Sequence, residues 1–146
     1  MATVSTYLNF DRNTEEAFNY YKSVFGTEFS QDGIIARFKD IPPQEGMPPI
    51  PEEDQNLVMH VALPILGGHI LMGTDAPECM DFKISPGNTV YINLQPDTRQ
   101  ETRRLFKALS EGGTVEQELQ EMFWGDYYGS CKDKFGIQWM LNCSEK

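Results

Sequence analysis

The chain has 146 residues, 12 Lys and Arg against 22 Asp and Glu, and a formal net charge of −10 at pH 7. That length holds one domain with a real core and not two independent ones, and the acidic balance argues against nucleic acid or anionic membrane as a partner, whose phosphates would repel it. With 40% hydrophobic and 12% aromatic residues the composition is that of a globular protein, and no apolar run approaches a bilayer's thickness.

A strand is expected over roughly Thr3–Phe10, with Leu8 and Phe10 on one face and Tyr7 and Asn9 on the other. A helix follows over Thr14–Phe25, with Ala17, Phe18, Tyr21 and Phe25 spaced as a core-facing stripe. Asn13 with Glu16 reads as its capping box, and Gly26 as its left-handed stop. Glu28–Ser30 and Ile34–Phe38, around Gly33, suggest a hairpin. Residues 41–56 hold five prolines and four acidic residues, the pattern of an exposed loop and a candidate lid. Leu57–Leu63 and Ile70–Thr74 form a hairpin over Gly67-Gly68, and Asp75 reads as a turn residue. Residues 75–88 connect this half to the next, with Pro77, Pro86 and Gly87 as breakers.

The second half opens with a strand over Thr89–Leu94. A helix over Thr98–Leu109 follows, boxed by Asp97 and Gln100 and ended by Gly112-Gly113. Then come a strand over Thr114–Leu119 and a hairpin of Tyr127–Lys132 and Ile137–Asn142. This order echoes the first half. Tyr7-Leu8-Asn9-Phe10 returns as Tyr91-Ile92-Asn93-Leu94, and Leu71-Met72 after Gly68 returns as Trp139-Met140 after Gly136. A strand, helix and strands used twice cannot bury one sheet face alone, so the halves are expected to pack together as modules 1–80 and 88–146 of a single domain.

Cys79, Cys131 and Cys143 are odd in number, lack metal-type spacing and follow no signal peptide. The expectation is a cytoplasmic protein with unpaired thiols, Cys143 exposed near the C-terminus. Cys131 has Lys132 and Lys134 beside it, the kind of surroundings that can activate a thiol.

The segment order resembles the vicinal-oxygen-chelate superfamily of glyoxalase I, extradiol dioxygenases and bleomycin-resistance proteins. It resembles the PhnB-like branch most closely. The residues that carry this are Tyr7–Phe10, Val24-Phe25-Gly26, Met59-His60 and Leu71–Asp75. With them go Leu105–Val115, Phe123-Trp124-Gly125-Asp126-Tyr127-Tyr128-Gly129, Asp133–Gly136 and Trp139-Met140. The resemblance implies an α+β fold: two βαβββ modules with pseudo-twofold symmetry and curved mixed sheets. It also implies a homodimer, since members pair modules to complete their cups. This branch sometimes carries a demethylubiquinone methyltransferase label. The glycine-rich strand-to-helix turn that a Rossmann-type methyltransferase needs is not in this sequence, because Gly67-Gly68 sits in a hairpin and Gly112-Gly113 follows a helix.

Metal-dependent members of the superfamily supply His or Gln from a first strand and Glu from a last strand to a divalent ion that polarises the substrate. Strand parity here puts Ser5, Tyr7, Asn9, Thr89, Tyr91 and Asn93 on the cup face, and Met72 and Met140 at the equivalents of the Glu positions. Thioethers are poor ligands for such cations, so no metal and no cofactor are expected. His60 shares a strand face with Val58 and Ala62 and reads either as a pocket residue or as a hydrogen-bonded structural histidine, while His69 is expected in solvent. Trp124, ahead of Gly125, reads as a pocket wall or as a plug. Tyr128 matches His60, and Trp139 is expected in the core beneath the second helix. The expected ligand-contacting set is therefore Tyr7, Asn9, His60, Met72, Tyr91, Asn93, Trp124, Tyr128 and Met140, facing a small apolar or aromatic molecule. The competing readings are a metal-dependent lyase or dioxygenase of the same superfamily and a structural or regulatory dimer without a ligand.

Overall fold

Strand order is the same in both halves of a computed structural model, which describes residues 2–42, 45–46, 48–76 and 82–146. The chain divides into two compact units, Met1–Ser85 and Pro86–Lys146. In the first, β1 (Thr6–Phe10), α1 (Thr14–Phe25), β2 (Ala36–Arg37), β3 (Val58–Pro64) and β4 (Ile70–Asp75) build a four-stranded sheet ordered β1-β4-β3-β2. In the second, β5 (Ile92–Leu94), α2 (Arg99–Ser110), β6 (Thr114–Glu121), β7 (Tyr127–Lys132) and β8 (Gln138–Cys143) build one ordered β5-β8-β7-β6. β1 runs parallel to β4 and β5 parallel to β8, while the remaining pairs are antiparallel. These are two βαβββ modules with mixed sheets. Among the described residues no helix is long and apolar enough to cross a membrane.

The first sheet buries one face under α1. Leu71, Val61 and Leu63 meet Ala17, Phe18 and Tyr21 there, all essentially without solvent. Phe18 stands edge-on to Phe10 and to Tyr21, with centroids 6.1 and 5.6 Å away, the aromatic geometry that ring quadrupoles favour. The Phe18 ring also fills the space above Gly73, where an added Cβ would lie 2.4 Å from Phe18 Cε1. The helix therefore approaches the sheet more closely than any side chain would allow.

α1 spans the expected residues and ends at Gly26 in the left-handed conformation, its amide donating to Lys22 O. Its start differs from the expectation. The Asn13 side chain makes no capping bond. Asp75, at the end of β4, does that work: Oδ1 accepts from Thr14 N at 3.0 Å and from Thr14 Oγ1 at 2.8 Å, and Oδ2 accepts from Val58 N at 2.8 Å. Because β1 and β4 are parallel and Phe10 pairs with Asp75, β4 ends beside the point where the chain leaves β1 for the helix. A charged carboxylate there binds the free amides better than a neutral Asn can. Asp75 is a fastener, not a turn residue.

The proline-rich segment is tied at its far end. Residues Glu52–Asp54 form one 3-10 turn, and the buried Asp54 takes the Arg12 guanidinium, which also donates to Glu53 O. Pro43, Gln44 and Met47 of this segment, and Cys79 of the connection, lie outside the described residues. The expected hairpin around Gly33 is reduced to β2 alone. Gln31, Asp32 and Gly33 all have positive φ, so the chain cannot run extended there, and Ser30 meets the sheet through its amide bond to Ala62 O.

In the second unit Leu105, Phe106 and Leu109 of α2 cover Leu94, Cys131, Trp139 and Leu141, and Trp139 is fully buried as expected. α2 starts one residue later than expected because Thr98, not Asp97, is its N-cap and accepts from Glu101 N at 3.1 Å. Cys143 is buried rather than exposed. It shares strand parity with Trp139 and Leu141, and parity outweighs nearness to the terminus. His69 is not free in solvent either, since its Nε2 lies 2.8 Å from Thr6 Oγ1 and the residue is half-buried.

The tetrapeptide repeat is out of step with the sheets. Ala62 pairs with Met72 and Ser130 with Met140, so the closing hairpins correspond residue by residue. On the parallel side, however, Tyr7 stands opposite Met72 while Asn93 stands opposite Met140. The structural counterpart of Tyr7 is Asn93, and Tyr91 lies where Ser5 does in the first unit.

Candidate functional site

Each sheet has a face turned away from its helix, and the residues there follow from strand alternation. On β1, Thr6, Leu8 and Phe10 are more enclosed than Ser5, Tyr7 and Asn9. On β4 the neighbours of the helix-facing Gly73 are Met72 and Thr74, which consequently share the open face. Tyr7 and His60 lie with ring centroids 5.9 Å apart and planes 35° off parallel, and the phenol oxygen is 3.4 Å from Nδ1, at the long limit of a hydrogen bond. Ser5 Oγ sits 3.9 Å from the Met72 sulfur. Tyr7, His60 and Met72 thus form one cluster, with Ala62 beside Met72 and the exposed Asn9 one step along β1 opposite Thr74.

In the second unit Asn93, Met140 and Ser130 follow one another across β5, β8 and β7. Tyr128 lies farther along β7 with Trp124 edge-on against it, centroids 6.1 Å apart. Trp124 occupies the tip of the β6–β7 hairpin, where Met122 N donates to Asp126 O, Gly125 N to Met122 O, and Gly125 takes a φ of 98°. Trp124 is 48% exposed and its neighbour Phe123 96% exposed. Tyr91 donates to Glu116 Oε1 at 2.9 Å. These residues belong to the two edge strands' ends of one sheet, so their contact requires that sheet to curl. The bond also pushes the Tyr91 phenol above its ordinary value, because the hydrogen bond to a carboxylate holds the proton.

Sequence reasoning missed several residues of this face. Ser130 and Gln138 share parity with Tyr128 and Met140 and could have been read from alternation. Asn142, which donates to Asp126 Oδ2 at 2.9 Å, was readable the same way. Glu116 was not, because the β6–β7 register shifts irregularly on either side of Gln117.

Among the described residues, Cys131 and Cys143 offer no nucleophile on these faces. Burial, with Asp133 and Glu116 adding to it, pushes the Cys131 thiol up to about 12, so it stays protonated at neutral pH despite its flanking lysines. With Cys79 replaced by Ser, a thiol reagent should label neither Cys131 nor Cys143 in the native protein and both after unfolding. Rapid native labelling would contradict their burial.

A cleft of about 380 Å³ lies elsewhere on the first unit, at the start of α1, lined by Arg12, Asn13, Glu15, Asn19 and Asn56 among others. Two of its charges are paired with neighbours, Arg12 with Asp54 and Glu15 with Arg37. The Arg37 bond holds the Glu15 carboxyl below its usual value. None of the expected ligand-contacting residues lines it.

The donor chemistry of the open faces does not fit the divalent site of the superfamily. Met72 on β4 stands across from Tyr7 and Met140 on β8 across from Asn93, and a thioether beside a phenol or an amide is a poor donor pair for a hard or borderline cation. Among the described residues no three His, Cys, Asp or Glu side chains gather as a metal-binding group.

Comparison with known proteins bears on the fold and on the family. The model of a family described as 3-demethylubiquinone-9 3-methyltransferase matches residues 2–142. The solved structure of protein PA1353 from Pseudomonas aeruginosa is 30% identical and covers 100% of both chains with a TM-score of 0.83. A PhnB protein from Bacillus cereus is 22% identical over 97% of this chain and 99% of its own, with a TM-score of 0.74. A glyoxalase/bleomycin resistance protein/dioxygenase family enzyme from Burkholderia phytofirmans is 16% identical over 96% and 98% of the two chains, with a TM-score of 0.61. The last two show the fold alone.

Proposed function

This chain belongs to the family described as 3-demethylubiquinone-9 3-methyltransferase, the PhnB-like branch of the glyoxalase/bleomycin-resistance superfamily, and we propose that within it the protein binds a small apolar or aromatic molecule on its open sheet faces without the superfamily's divalent ion. The observation that carries this reading is the make-up of those faces. Each face carries aromatic and thioether groups beside a few polar tips, Tyr7 with Met72 in the first unit and Trp124 with Tyr128 in the second, and the last strands present methionine there. Such surfaces bind by area and shape, with sparse hydrogen bonds to orient the ligand.

Methyl transfer in the Rossmann manner finds no support in the fold. Gly67 and Gly68 turn the β3–β4 hairpin and Gly112 follows α2, so neither pair joins a strand to a helix start. The assembly we propose is a homodimer. Sedimentation should give twice the 16.7 kDa chain mass, and a monomer at tens of micromolar, roughly the range of weak dimers, would contradict it.

A thermal-shift screen with small aromatic and apolar metabolites tests the binding reading, because a ligand that binds only the native state raises the midpoint. At least one compound should raise it in protein kept in chelator. Trp124→Ala should weaken binding of that compound about tenfold or more, as loss of an aromatic anchor does, while leaving the unliganded midpoint within a degree or two. Met72→Leu with Met140→Leu should change affinity little, since volume and apolarity are kept. Equal affinity in wild type and Trp124→Ala would remove Trp124 from the site.

A further inference from the structure

Gln138 opens β8 and is 5% exposed. Its side-chain Nε2 donates to Val90 O at 2.9 Å, yet its Oε1 is buried and has no hydrogen-bond partner among the described residues. Turning the amide over would set Oε1 against the Val90 carbonyl, two acceptors facing each other, so the observed orientation is the sound one. A buried carbonyl without a donor is an unfavourable arrangement that native proteins seldom keep without a use for it.

The position of this acceptor says what the use is. Gln138 shares strand parity with Met140, away from the buried Trp139 and Leu141, and therefore lies on the open face of the second sheet. Its cross-strand neighbour Lys132 makes no bond to it. On the other side Ile92 pairs with Trp139, which puts Tyr91 one step back, beside Gln138. Tyr91 and Lys132 are both partly exposed, and the Tyr91–Glu116 hydrogen bond is a surface contact. The acceptor is thus flanked across both neighbouring strands by residues that are not fully buried, and a donor brought to it would relieve the unpaired oxygen.

We infer that Gln138 Oε1 is the polar anchor of the small-molecule site, and that the ligand is an aromatic or apolar molecule carrying an N–H or O–H donor. The inference rests on the binding reading above and adds the ligand's donor and the residue that reads it. A site built to take a donor discriminates against an isostere lacking one, because the acceptor is then left unpaired beneath bound ligand.

Indole and 1-methylindole make the test, since they differ in the N–H and in one methyl group, with calorimetric or ligand-observed NMR titration as the readout. Wild type should bind indole about tenfold more tightly than 1-methylindole. Gln138→Met keeps the length and removes the acceptor, and should bind the two alike. Lys132→Met should keep the preference. Should Gln138→Met fail to fold, the side-chain amide signals of Gln138 in the wild type serve instead, and should shift with indole and far less with 1-methylindole. Equal binding of the two probes to wild type, or a preference that survives in Gln138→Met, would overturn the inference while leaving the binding reading standing. If neither probe binds wild type, the inference fails, while the binding reading stands or falls with the thermal-shift screen.

Discussion

Asp75→Ala should lose about 3–5 kcal/mol in chemical denaturation. The carboxylate is 3% exposed and accepts from Thr14 N, Thr14 Oγ1 and Val58 N. Alanine leaves two backbone amides and a hydroxyl without an acceptor inside the protein, each costing roughly 1–3 kcal/mol, with some relief from rotation of the hydroxyl. Asp75→Asn should not rescue it. Asn offers one oxygen, and its NH2 would face either the Thr14 or the Val58 amide, donor against donor. The companion substitution is Asn13→Ala, expected to change stability by less than about 0.5 kcal/mol because Asn13 makes no capping bond, whereas a true N-cap costs about 1 kcal/mol. Reversal of the two magnitudes would show that Asn13, not Asp75, starts the helix.

Asp133→Ala is the matching experiment in the second unit, with about 3–4 kcal/mol expected. Asp133 is buried at the β7–β8 turn. Its Oδ1 accepts from Phe135 N at 2.9 Å and Ile137 N at 3.0 Å, and its Oδ2 accepts from the Trp139 indole at 2.9 Å. One carboxylate thus shapes the turn and satisfies the tryptophan that fills the core under α2. The loss should be accompanied by a changed near-ultraviolet signal from Trp139. Asp133→Ala and Trp139→Phe should couple by about 1 kcal/mol or more in a double-mutant cycle, as groups sharing a hydrogen bond do. Additivity would mean that the indole bond contributes nothing.

These two carboxylates mark what could and could not be read before the structure. Local signals carried most elements: the apolar stripe and glycine stop of α1 and the closing hairpins over Gly68 and Gly136 were placed to within a residue or two, while β1 and β5 start three residues later than expected and no strand forms over residues 28–30. Asp75 and Asp133 were invisible because their partners lie on other strands or across a turn, and nothing local tells a fastening carboxylate from a turn residue. Asn13 and Asp97 failed as caps for the same reason, since a stronger or better placed acceptor won in each case. Cys143 was misjudged from its nearness to the terminus when its parity with Trp139 and Leu141 was already in the sequence.

The open faces were legible to the extent that alternation holds. Tyr7, His60 and Met72 come together, and so do Trp124 and Tyr128. Asn93 lies beside Met140, while Tyr91 turns to Glu116. The repeat misled on one point. Tyr7 and Tyr91 match as letters but not in the sheets, because the two parallel strand pairs are set two residues apart relative to their closing hairpins. Similarity of sequence fixed the element and not its register, which cross-strand pairing decides.

On the function we propose, the protein binds an apolar or aromatic molecule through these faces and needs no divalent ion to do it. The most direct measurement is calorimetric titration of the strongest compound from the thermal-shift screen into protein stripped with chelator, repeated after adding an equivalent of Zn, Ni, Mn or Fe. The same affinity is expected in every titration, with the same preference for a ligand carrying a donor. Binding that appears only with a metal present, or that tightens tenfold or more with one, would contradict it.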